Sequence, residues 1–454
     1  MTSFWSQEIA APGVARPALS TDRDADVCIV GGGYTGLWSA YELLRAEPSL
    51  EIVILEAETI GFGASGRNGG WVLGAIAGDR EWWARRSGRA AVAAQDAAIR
   101  ETVGHVGQVI EHEHIECDFV HGGTLRVAET ALERTRLQDG IAYARSWGAG
   151  TADSVLLGAD ELRERMRIPS AIAATFSPHC ARVQPAKLAG GLAQAVERRG
   201  ASVYERSRVT AIAPGEVRTE SAAVRARHVI RATEAYTARL PGLRRRLLPM
   251  RSSMIITAPL DEATWTAIGW EGAETLGDAR HVYIYAQRTV DGRIAIGGRG
   301  KPYRYGSDTE GEGEADPAVA AELRARLCEL FPVLADVRID ATWQGVLGVT
   351  RPWRPTVSFD PATGLAWAGG YVGEGVAAAN LAARTLTDLI LQRRTALTKL
   401  PWIAPLERDW EPEPLRWIGV NAVYESLRRA DIAERRTGRA SPFALPAKLL
   451  GITH

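Results

Sequence analysis

The pattern of apolar and polar positions is clearest in residues 27–56, which read VCIVGGGYTGLWSAYELLRAEPSLEIVILE. An apolar run at residues 27–30 predicts a buried strand, and the apolar residues after the glycines recur at helical spacing until Pro48. A second apolar run at residues 52–55 predicts another strand. The pattern therefore predicts a strand–helix–strand unit with parallel strands.

Three glycines and one carboxylate in this unit indicate a nucleotide site. Gly31, Gly33 and Gly36 occupy the glycine positions of the GxGxxG pattern, and Glu56 ends the second strand. Such glycines let the backbone approach a pyrophosphate at a helix N-terminus, and an acid about 20 positions further on binds a ribose hydroxyl. A glycine-rich turn without a ligand is the alternative, but the elements follow one another in the order that a dinucleotide site requires.

The same type of pattern returns twice, so the predicted fold is α/β with two interleaved domains. A helix followed by a strand begins at Pro185, and a strand, a glycine-rich turn and a helix recur near Gly373. The intervening residues resemble helices and alternating, mostly antiparallel strands. We predict a discontinuous Rossmann-like domain, an α+β second domain with a mostly antiparallel sheet, and a helical tail packed on the body. The predicted ranges are 1–77, 184–243 and 345–400 for the first domain, 78–183 and 244–344 for the second, and 401–454 for the tail. A helix on a membrane surface is the alternative for the tail.

The composition excludes several classes of partner. The 454 residues contain 54 Lys and Arg and 54 Asp and Glu, so no net charge attracts nucleic acid. The four cysteines lie far apart without a CxxC pair, which favours reduced thiols. Neither a signal peptide nor an apolar run of about 18 residues is recognisable. We expect a cytoplasmic protein with no membrane span and no nucleic-acid partner.

Two segments offer further candidate ligand sites. Residues 61–70, GFGASGRNGG, fit neither a helix nor a strand. Glycine permits close approach to a planar ligand there, and a mobile surface loop is the alternative. His112, His114 and Cys117 are spaced like metal ligands, but zinc needs three or four protein ligands and no partner cluster is evident, so we predict no metal site.

Four motifs taken together resemble the D-amino-acid oxidase superfamily of flavoproteins, in the branch of γ-glutamylputrescine, glycine and sarcosine oxidases. They are VCIVGGGYTG with Glu56, GASGRNGG, RATEAYT, and WQGVLGVTRPWRP followed by GGYVGEGV. The resemblance implies FAD in the Rossmann-like domain, with the sheet of the substrate domain over its isoalloxazine ring. It also implies hydride transfer from the Cα–H bond of an amine or amino acid to flavin N5, which gives an imine.

The resemblance also implies which residues contact the cofactor. These FAD-binding residues are Gly31, Gly33, Tyr34, Thr35, Gly36, Glu56, Ala64, Ser65, Arg67, Asn68, Gly69, Gly70, Val209, Ala232, Thr233, Gly370, Gly373, Glu374, Gly375 and Val376. We expect non-covalent FAD, because no cysteine lies in residues 343–356, where sarcosine oxidases attach the flavin.

Two acidic residues and a missing lysine depart from the family pattern. Glu234 stands where relatives usually have a small or amide residue, and Glu374 stands where they often have histidine. No lysine lies between Val203 and Gly300, although sarcosine oxidases carry an oxygen-activating lysine on a strand over the flavin. The electron acceptor is therefore left open as O2 or another acceptor.

Tyr283, Tyr285 and Arg351 are the candidate catalytic residues. The two tyrosines share one face of a predicted strand and form a candidate aromatic wall for the substrate, with ordinary core tyrosines as the alternative. Arg351 matches the arginine with which related enzymes bind a substrate carboxylate, since a planar guanidinium meets both oxygens. Its alternatives are Arg354 and a structural ion pair.

The leading functional hypothesis is an FAD-dependent oxidase or dehydrogenase for a small amine or amino acid. Oxidation of a 2-hydroxy acid uses the same hydride chemistry and is the enzymatic alternative. A flavin-binding subunit of a larger complex is the third hypothesis, suggested by Trp402, Trp410 and Trp417 in the tail.

Overall fold

Two sheets with different strand arrangements form the body of the fold. In the computed structural model, the described residues are 3–7, 16–300, 302–310, 313–405 and 408–449. Parts of the predicted ranges 1–77, 244–344 and 401–454, namely residues 1–2, 8–15, 301, 311–312, 406–407 and 450–454, lie outside the described residues.

The first sheet contains the predicted strand–helix–strand unit. Its central strand, Arg23–Val30, is parallel to Ile52–Leu55 on one side and to Ala223–Arg231 on the other. The strand order is Thr356–Asp360, Leu365–Gly369, Ala223–Arg231, Arg23–Val30, Ile52–Leu55 and Ser202–Tyr204, and the hairpin of Val209–Ala213 and Glu216–Thr219 pairs with Ala223–Arg231. Since the inner strands are parallel, both of their faces are covered.

The two faces of the first sheet belong to different hydrophobic clusters. Val27 and Ile29 pack into the larger cluster, whereas Cys28 and Val30 pack into a smaller one, as the alternation of a strand requires. The helices that contribute to the larger cluster are Tyr34–Ala46, Arg80–Ser87, Arg89–His112, Pro185–Arg198 and Gly375–Ile390. Helix Arg89–His112 lies in a range predicted for the second domain, and its buried apolar residues pack in this first core. The division into domains stays a prediction.

The second sheet is antiparallel except for one parallel pair, Thr124–Ala128 with Thr275–Asp278. Its strand order is Ile339–Val349, Leu248–Thr257, Ile294–Gly298, Ile284–Arg288, Thr275–Asp278, Thr124–Ala128, Ala173–Ser177 and Val155–Gly158. Ile339–Val349 pairs with Leu248–Thr257 along its whole length, so residues 345–349 belong to this sheet and the predicted boundary at residue 345 is wrong. The predicted fold class, α/β with a parallel sheet and a mostly antiparallel one, is confirmed.

Shorter elements complete the body. Strand Trp71–Leu73 pairs with Cys180–Arg182 in a two-stranded sheet. Further helices are Phe4–Gln7, Ala131–Ser146, Ala159–Arg163, Glu262–Ile268, Pro317–Leu330 and Leu445–Leu449.

The C-terminal segment contains a long helix, Leu415–Thr437, which we call the tail helix. Its residues Val420 and Tyr424 are buried in one cluster with Met250 and Trp410. Along the described part of the chain, no helix combines the length and the apolar character needed to cross a bilayer. The cytoplasmic location stays a prediction.

A side chain at Gly36 would clash with the backbone beside the first core. A Cβ atom there would lie 2.0 Å from the carbonyl oxygen of Gly31 and 3.1 Å from Cγ2 of Ile29. The backbone at Gly31 is fixed, because its N–H donates to the carbonyl of Leu55 at 2.8 Å. Helix Tyr34–Ala46 therefore approaches the central strand too closely for any side chain at this position.

We expect Gly36→Ala to lower the midpoint of thermal unfolding by several degrees. Forcing extra atoms into a well-packed core typically costs about 1–3 kcal/mol, and a rigid backbone cannot move away cheaply. The matched control is Gly190→Ala in helix Pro185–Arg198, where an added Cβ meets no atom within 4 Å. Alanine there should leave the midpoint unchanged or raise it. Equal midpoints for the two variants would contradict the proposed close contact.

Candidate active site

The glycine turn, residues 31–36, is braced by two side chains. Glu56 accepts hydrogen bonds from the N–H of Gly32 to Oε2 at 2.8 Å and from the N–H of Glu58 to Oε1 at 2.9 Å. Ser65 Oγ accepts from the N–H of Tyr34 at 2.9 Å. Burial raises the pKa of Glu56, while the two amides act in the opposite direction. The turn thus lies at the carboxyl ends of parallel strands, where open α/β sheets bind ligands.

Residues 61–70 are held between the two sheets. Trp343 Nε1 donates to the carbonyl of Arg67 at 2.9 Å, and Gln287 Nε2 donates to the carbonyl of Gly69 at 2.8 Å. Within the segment, Asn68 Nδ2 donates to the carbonyls of Ala64 and Ser65 at 3.1 and 2.9 Å. These contacts do not fit the alternative of a mobile surface loop.

Glu234 braces a second turn, residues 370–375, which leads into helix Gly375–Ile390. Its Oε1 accepts from the N–H groups of Gly370 and Tyr371 at 3.0 and 3.2 Å. Gly348 leaves the space for this carboxyl, since a Cβ there would lie 2.0 Å from Glu234 Oε2. Burial raises the pKa of the Glu234 carboxyl to about 7, although the backbone amides of Tyr371 and Gly370 lower it.

A central cavity lies between these segments and the second sheet. Its volume is about 250 Å³, close to the lower end of the roughly 300–1000 Å³ of small-molecule pockets. The predicted site residues that line it are Tyr34, Thr35, Ala64, Ser65, Arg67, Asn68, Gly69, Tyr283, Tyr285, Gly373, Glu374, Gly375 and Val376. The structure therefore brings together residues that are more than 300 positions apart in the chain.

Other predicted cofactor residues lie in the turns beside this lining. They are Gly31, Gly33, Gly36, Glu56, Gly70, Ala232, Thr233 and Gly370. Val209 begins strand Val209–Ala213 and packs beside the smaller cluster of the first sheet, which includes Cys28. Its contact with a cofactor stays a prediction.

Tyr283 and Tyr285 both reach the cavity. Tyr283 precedes the strand, which begins at Ile284, and its hydroxyl accepts from Arg299 Nη2 at 3.1 Å. The hydroxyl of Tyr285 lies 2.7 Å from Ser252 Oγ. Burial raises the pKa of Tyr285 to about 12, so this hydroxyl is protonated at neutral pH.

Arg351 is placed differently from the prediction. Its Nε lies 2.9 Å from both carboxylate oxygens of Glu411, and its guanidinium lies 5.2 Å from the ring centroid of Trp410. Arg351 is not among the described residues that line the central cavity, and neither is Arg354, which stacks on Trp82. The geometry corresponds to the alternative of a structural ion pair, and a substrate contact of Arg351 stays a prediction.

Two other arginines line the cavity, and the sequence analysis missed them. Arg126 lies in strand Thr124–Ala128 between the buried residues Leu125 and Val127, and Arg299 follows strand Ile294–Gly298. Arg299 is only 6% exposed. The sequence did contain a signal for both residues, namely a single arginine inside or directly after an apolar strand. Such an arginine indicates a partner or a functional role, because a buried charge needs one.

Glu374 gives the cavity a carboxylate beside these arginines. In the described part of the chain, no group donates a hydrogen bond to its buried Oε2 atom. Burial raises the pKa of Glu374, while the guanidinium groups of Arg299 and Arg126 oppose that shift. The cavity therefore contains charged groups of both signs.

A possible metal cluster lies outside the cavity. In the part of the chain that the structure describes, His281, Asp431 and Glu434 bring three potential ligand atoms within 4.8 Å of one another. The Arg136 Nη2 atom lies 3.0 Å from His281 Nε2 and 2.7 Å from Glu434 Oε2. The positively charged guanidinium of Arg136 therefore takes the place that a metal ion would need. We assign no metal to it.

Comparisons with known proteins agree on one family. The sequence profile described as DAO, FAD dependent oxidoreductase, matches residues 26–389. The γ-glutamylputrescine oxidoreductase of Escherichia coli (strain K12) is 32% identical over 394 residues, which cover 84% of this chain and 88% of that protein. Among solved structures, glycine oxidase from Geobacillus kaustophilus has a TM-score of 0.70 at 21% identity. The match covers 86% of this chain and 100% of that one. L-Proline dehydrogenase from P. horikoshii has a TM-score of 0.68 at 19% identity, with coverages of 84% of this chain and 98% of that one.

The raised pKa of Glu234 predicts a pH dependence of stability. Between about pH 4.5 and 7 the unfolded chain loses the proton of this carboxyl while the folded chain keeps it, so stability falls as the pH rises through that window and then levels off. The glutamine of Glu234→Gln cannot ionise, so the variant should lack this contribution to the pH dependence. The contribution to the free energy of unfolding is roughly 3 kcal/mol at most. Unfolding midpoints of both proteins at pH 5 and pH 8 measure the difference. A variant with the same pH dependence as the wild type would show that Glu234 is ionised throughout.

Proposed function

Since this chain belongs to the FAD-dependent oxidoreductases, as its four motifs predicted, we propose that it oxidises the C–N bond of a small amine or amino acid that carries a carboxylate. The observation that carries the proposal is the presence of Arg126 and Arg299 in the same cavity as Tyr283 and Tyr285. The substrates in the names of the similar proteins, γ-glutamylputrescine, glycine and L-proline, all combine an amine with a carboxylate.

The geometry of the glycine turn fits FAD. Gly33 is the N-cap of helix Tyr34–Ala46 and has no side chain, so this end of the helix suits a pyrophosphate apart from the Tyr34 amide, which donates to Ser65 Oγ. Glu56 retains free lone pairs beside its two backbone donors and is suited to a ribose hydroxyl. Residues 64–70 and 373–376 would hold the ring system. When bound, FAD supplies the two-electron acceptor for a hydride from the carbon next to the substrate nitrogen.

The side chains of the cavity would position the substrate. Arg126 is suited to bind its carboxylate, because a planar guanidinium donates to both oxygens, and the positive charge of Arg299 attracts the same group. Tyr285, Trp71 and Leu73 form an aromatic and apolar wall that excludes water from the reacting carbon. The nearby Glu374 carboxylate is suited to accept the proton that a substrate ammonium loses before its Cα–H bond gives up a hydride. The resulting imine is then hydrolysed by water.

The electron acceptor is O2 or another oxidant. The absence of lysine between Val203 and Gly300 leaves no counterpart of the family's oxygen-activating lysine in that stretch. The proposed activity therefore includes a dehydrogenase as an alternative to an oxidase.

Replacement of Glu56 tests the cofactor site. Glu56→Ala should raise the dissociation constant of FAD by about 10–150-fold, which corresponds to the 1.5–3 kcal/mol of a hydrogen bond to a charged group. The control is Glu51→Ala. Glu51 is exposed and directly precedes strand Ile52–Leu55, so its replacement should leave the dissociation constant of FAD unchanged.

Acid precipitation of the holoenzyme tests how FAD is attached. It should leave a white pellet and a yellow supernatant if FAD is non-covalent. A yellow pellet, or a cofactor without the AMP moiety, would contradict these assignments.

The function itself is tested by anaerobic reduction of the purified yellow holoenzyme. We expect bleaching by an amine or amino acid with a carboxylate, and none by 2-hydroxy acids such as lactate. Bleaching by a hydroxy acid alone would favour the second hypothesis. Bleaching only after addition of another protein would favour a subunit of a larger complex.

Substitution of Arg126, with Arg351 for comparison, then tests the carboxylate site. Arg126→Gln should raise KM for the best carboxylate-bearing amine by at least about tenfold, since loss of one partner of a desolvated charge pair costs about 2–5 kcal/mol. For an analogue without the carboxylate, KM should change far less. Arg351→Ala is the matched comparison, because its ion pair with Glu411 lies outside the cavity. The opposite result, a selective effect of Arg351→Ala, would support the assignment made from the sequence.

A further inference from the structure

The tail helix contacts the cavity-lining residue Arg299 through its buried residue Tyr424. The helix lies beyond residues 26–389, which the family profile matches. Its Tyr424 is 5% exposed and packs in a cluster with Met250. The Tyr424 hydroxyl accepts a hydrogen bond from Arg299 Nη1 at 2.8 Å. A segment outside the matched region thus contacts a charged residue of the cavity.

Three separate segments fix the Arg299 guanidinium. Nη2 donates to the Tyr283 hydroxyl at 3.1 Å and to the carbonyl of Val372 at 2.8 Å. Nη1 donates to Tyr424 of the tail helix. Because a guanidinium is planar and its donors form a rigid fork, acceptors on two different nitrogens determine the orientation of the whole group. The body of the protein holds one side of the fork, and the tail helix holds the other.

The same face of the tail helix also holds the segment that carries Tyr283. Asp431 lies seven residues, or about two turns, after Tyr424 and therefore on the same side of the helix. Its carboxylate accepts from the N–H groups of His281 and Val282 at 2.8 and 2.9 Å. Glu434, on the next turn, accepts from Arg136 Nη2 at 2.7 Å. The helix is therefore fastened beside the cavity at several points, and Tyr424 is oriented by that attachment.

We propose that Tyr424 is a positioning residue for Arg299, and that the tail helix thereby determines the specificity of the cavity for an anionic substrate group. This inference rests on the proposed function, in which the positive charge of Arg299 attracts the substrate carboxylate. Without the Tyr424 hydroxyl, Nη1 loses an oriented acceptor and the guanidinium can turn away from the position in which it meets a carboxylate.

Tyr424→Phe in the holoenzyme tests the inference, with Tyr303→Phe as its matched control. Tyr303 is buried at the same junction of tail and body, but its hydroxyl donates to Glu413 at 2.6 Å, away from the cavity lining. The probe is acetate, whose dissociation constant is measured from the change in flavin absorption. We expect Tyr424→Phe to weaken acetate binding about tenfold, the lower end for a hydrogen bond to a charged group. The KM of a carboxylate-bearing amine should rise similarly, whereas kcat and the KM of its analogue without the carboxylate stay within about twofold.

Several outcomes would overturn the inference. Unchanged acetate binding in Tyr424→Phe, or an equal rise in KM for both substrates, would show a merely structural tyrosine. An equal loss in Tyr303→Phe would show a general effect of loosening the tail. A wild-type holoenzyme that oxidises amines but does not bind acetate would also refute the inference while leaving the proposed function intact. If no amine bleaches the flavin, the proposed function fails. The acetate titration then still tests whether Tyr424 positions Arg299.

Discussion

The contact between Gly36 and the carbonyl of Gly31 is the constraint on which the geometry of the site depends. It brings helix Tyr34–Ala46 against the end of the central strand with no intervening side chain. The first turn of the helix is therefore held beside the carboxyl ends of the parallel strands, where its amides and the carboxylate of Glu56 surround one small volume. A larger residue at either glycine would tilt or displace the helix, and with it Tyr34 and Thr35 at the cavity wall.

A second constraint joins the two sheets. Residues 61–70 follow the first sheet in the chain, yet their carbonyl groups accept hydrogen bonds from Trp343 and Gln287 of the second sheet. Backbone groups that are buried must find partners, and here the partners come from the opposite side of the cavity. The cavity is thus shaped by both sheets, and neither sheet alone encloses it.

Charge is distributed unevenly around this cavity. Glu234 is enclosed at the turn of residues 370–375, where burial favours its protonated form. Burial also raises the pKa of Glu374, but the positive charges of Arg299 and Arg126 oppose that shift. The hydroxyl groups of Tyr283 and Tyr424 and the carbonyl of Val372 accept hydrogen bonds from the Arg299 guanidinium. Such an arrangement suits a ligand that carries both an anionic group and an amine.

The sequence by itself determined the elements whose signals are local. The first strand and helix, the second strand at Ile52–Leu55 and the cofactor turn follow from apolar periodicity and from glycines at fixed spacing, because backbone conformation and close approach are decided within a few residues. The family followed from four such motifs in order. Only the tertiary structure decided which arginines reach the cavity. Arg351, Arg126 and Arg299 all lie in or beside apolar strands, but the side chain of each is directed by partners far away in the chain, Glu411 for Arg351 and Tyr424 for Arg299. Such long-range pairings depend on how the sheets and the tail pack, and no local pattern records them.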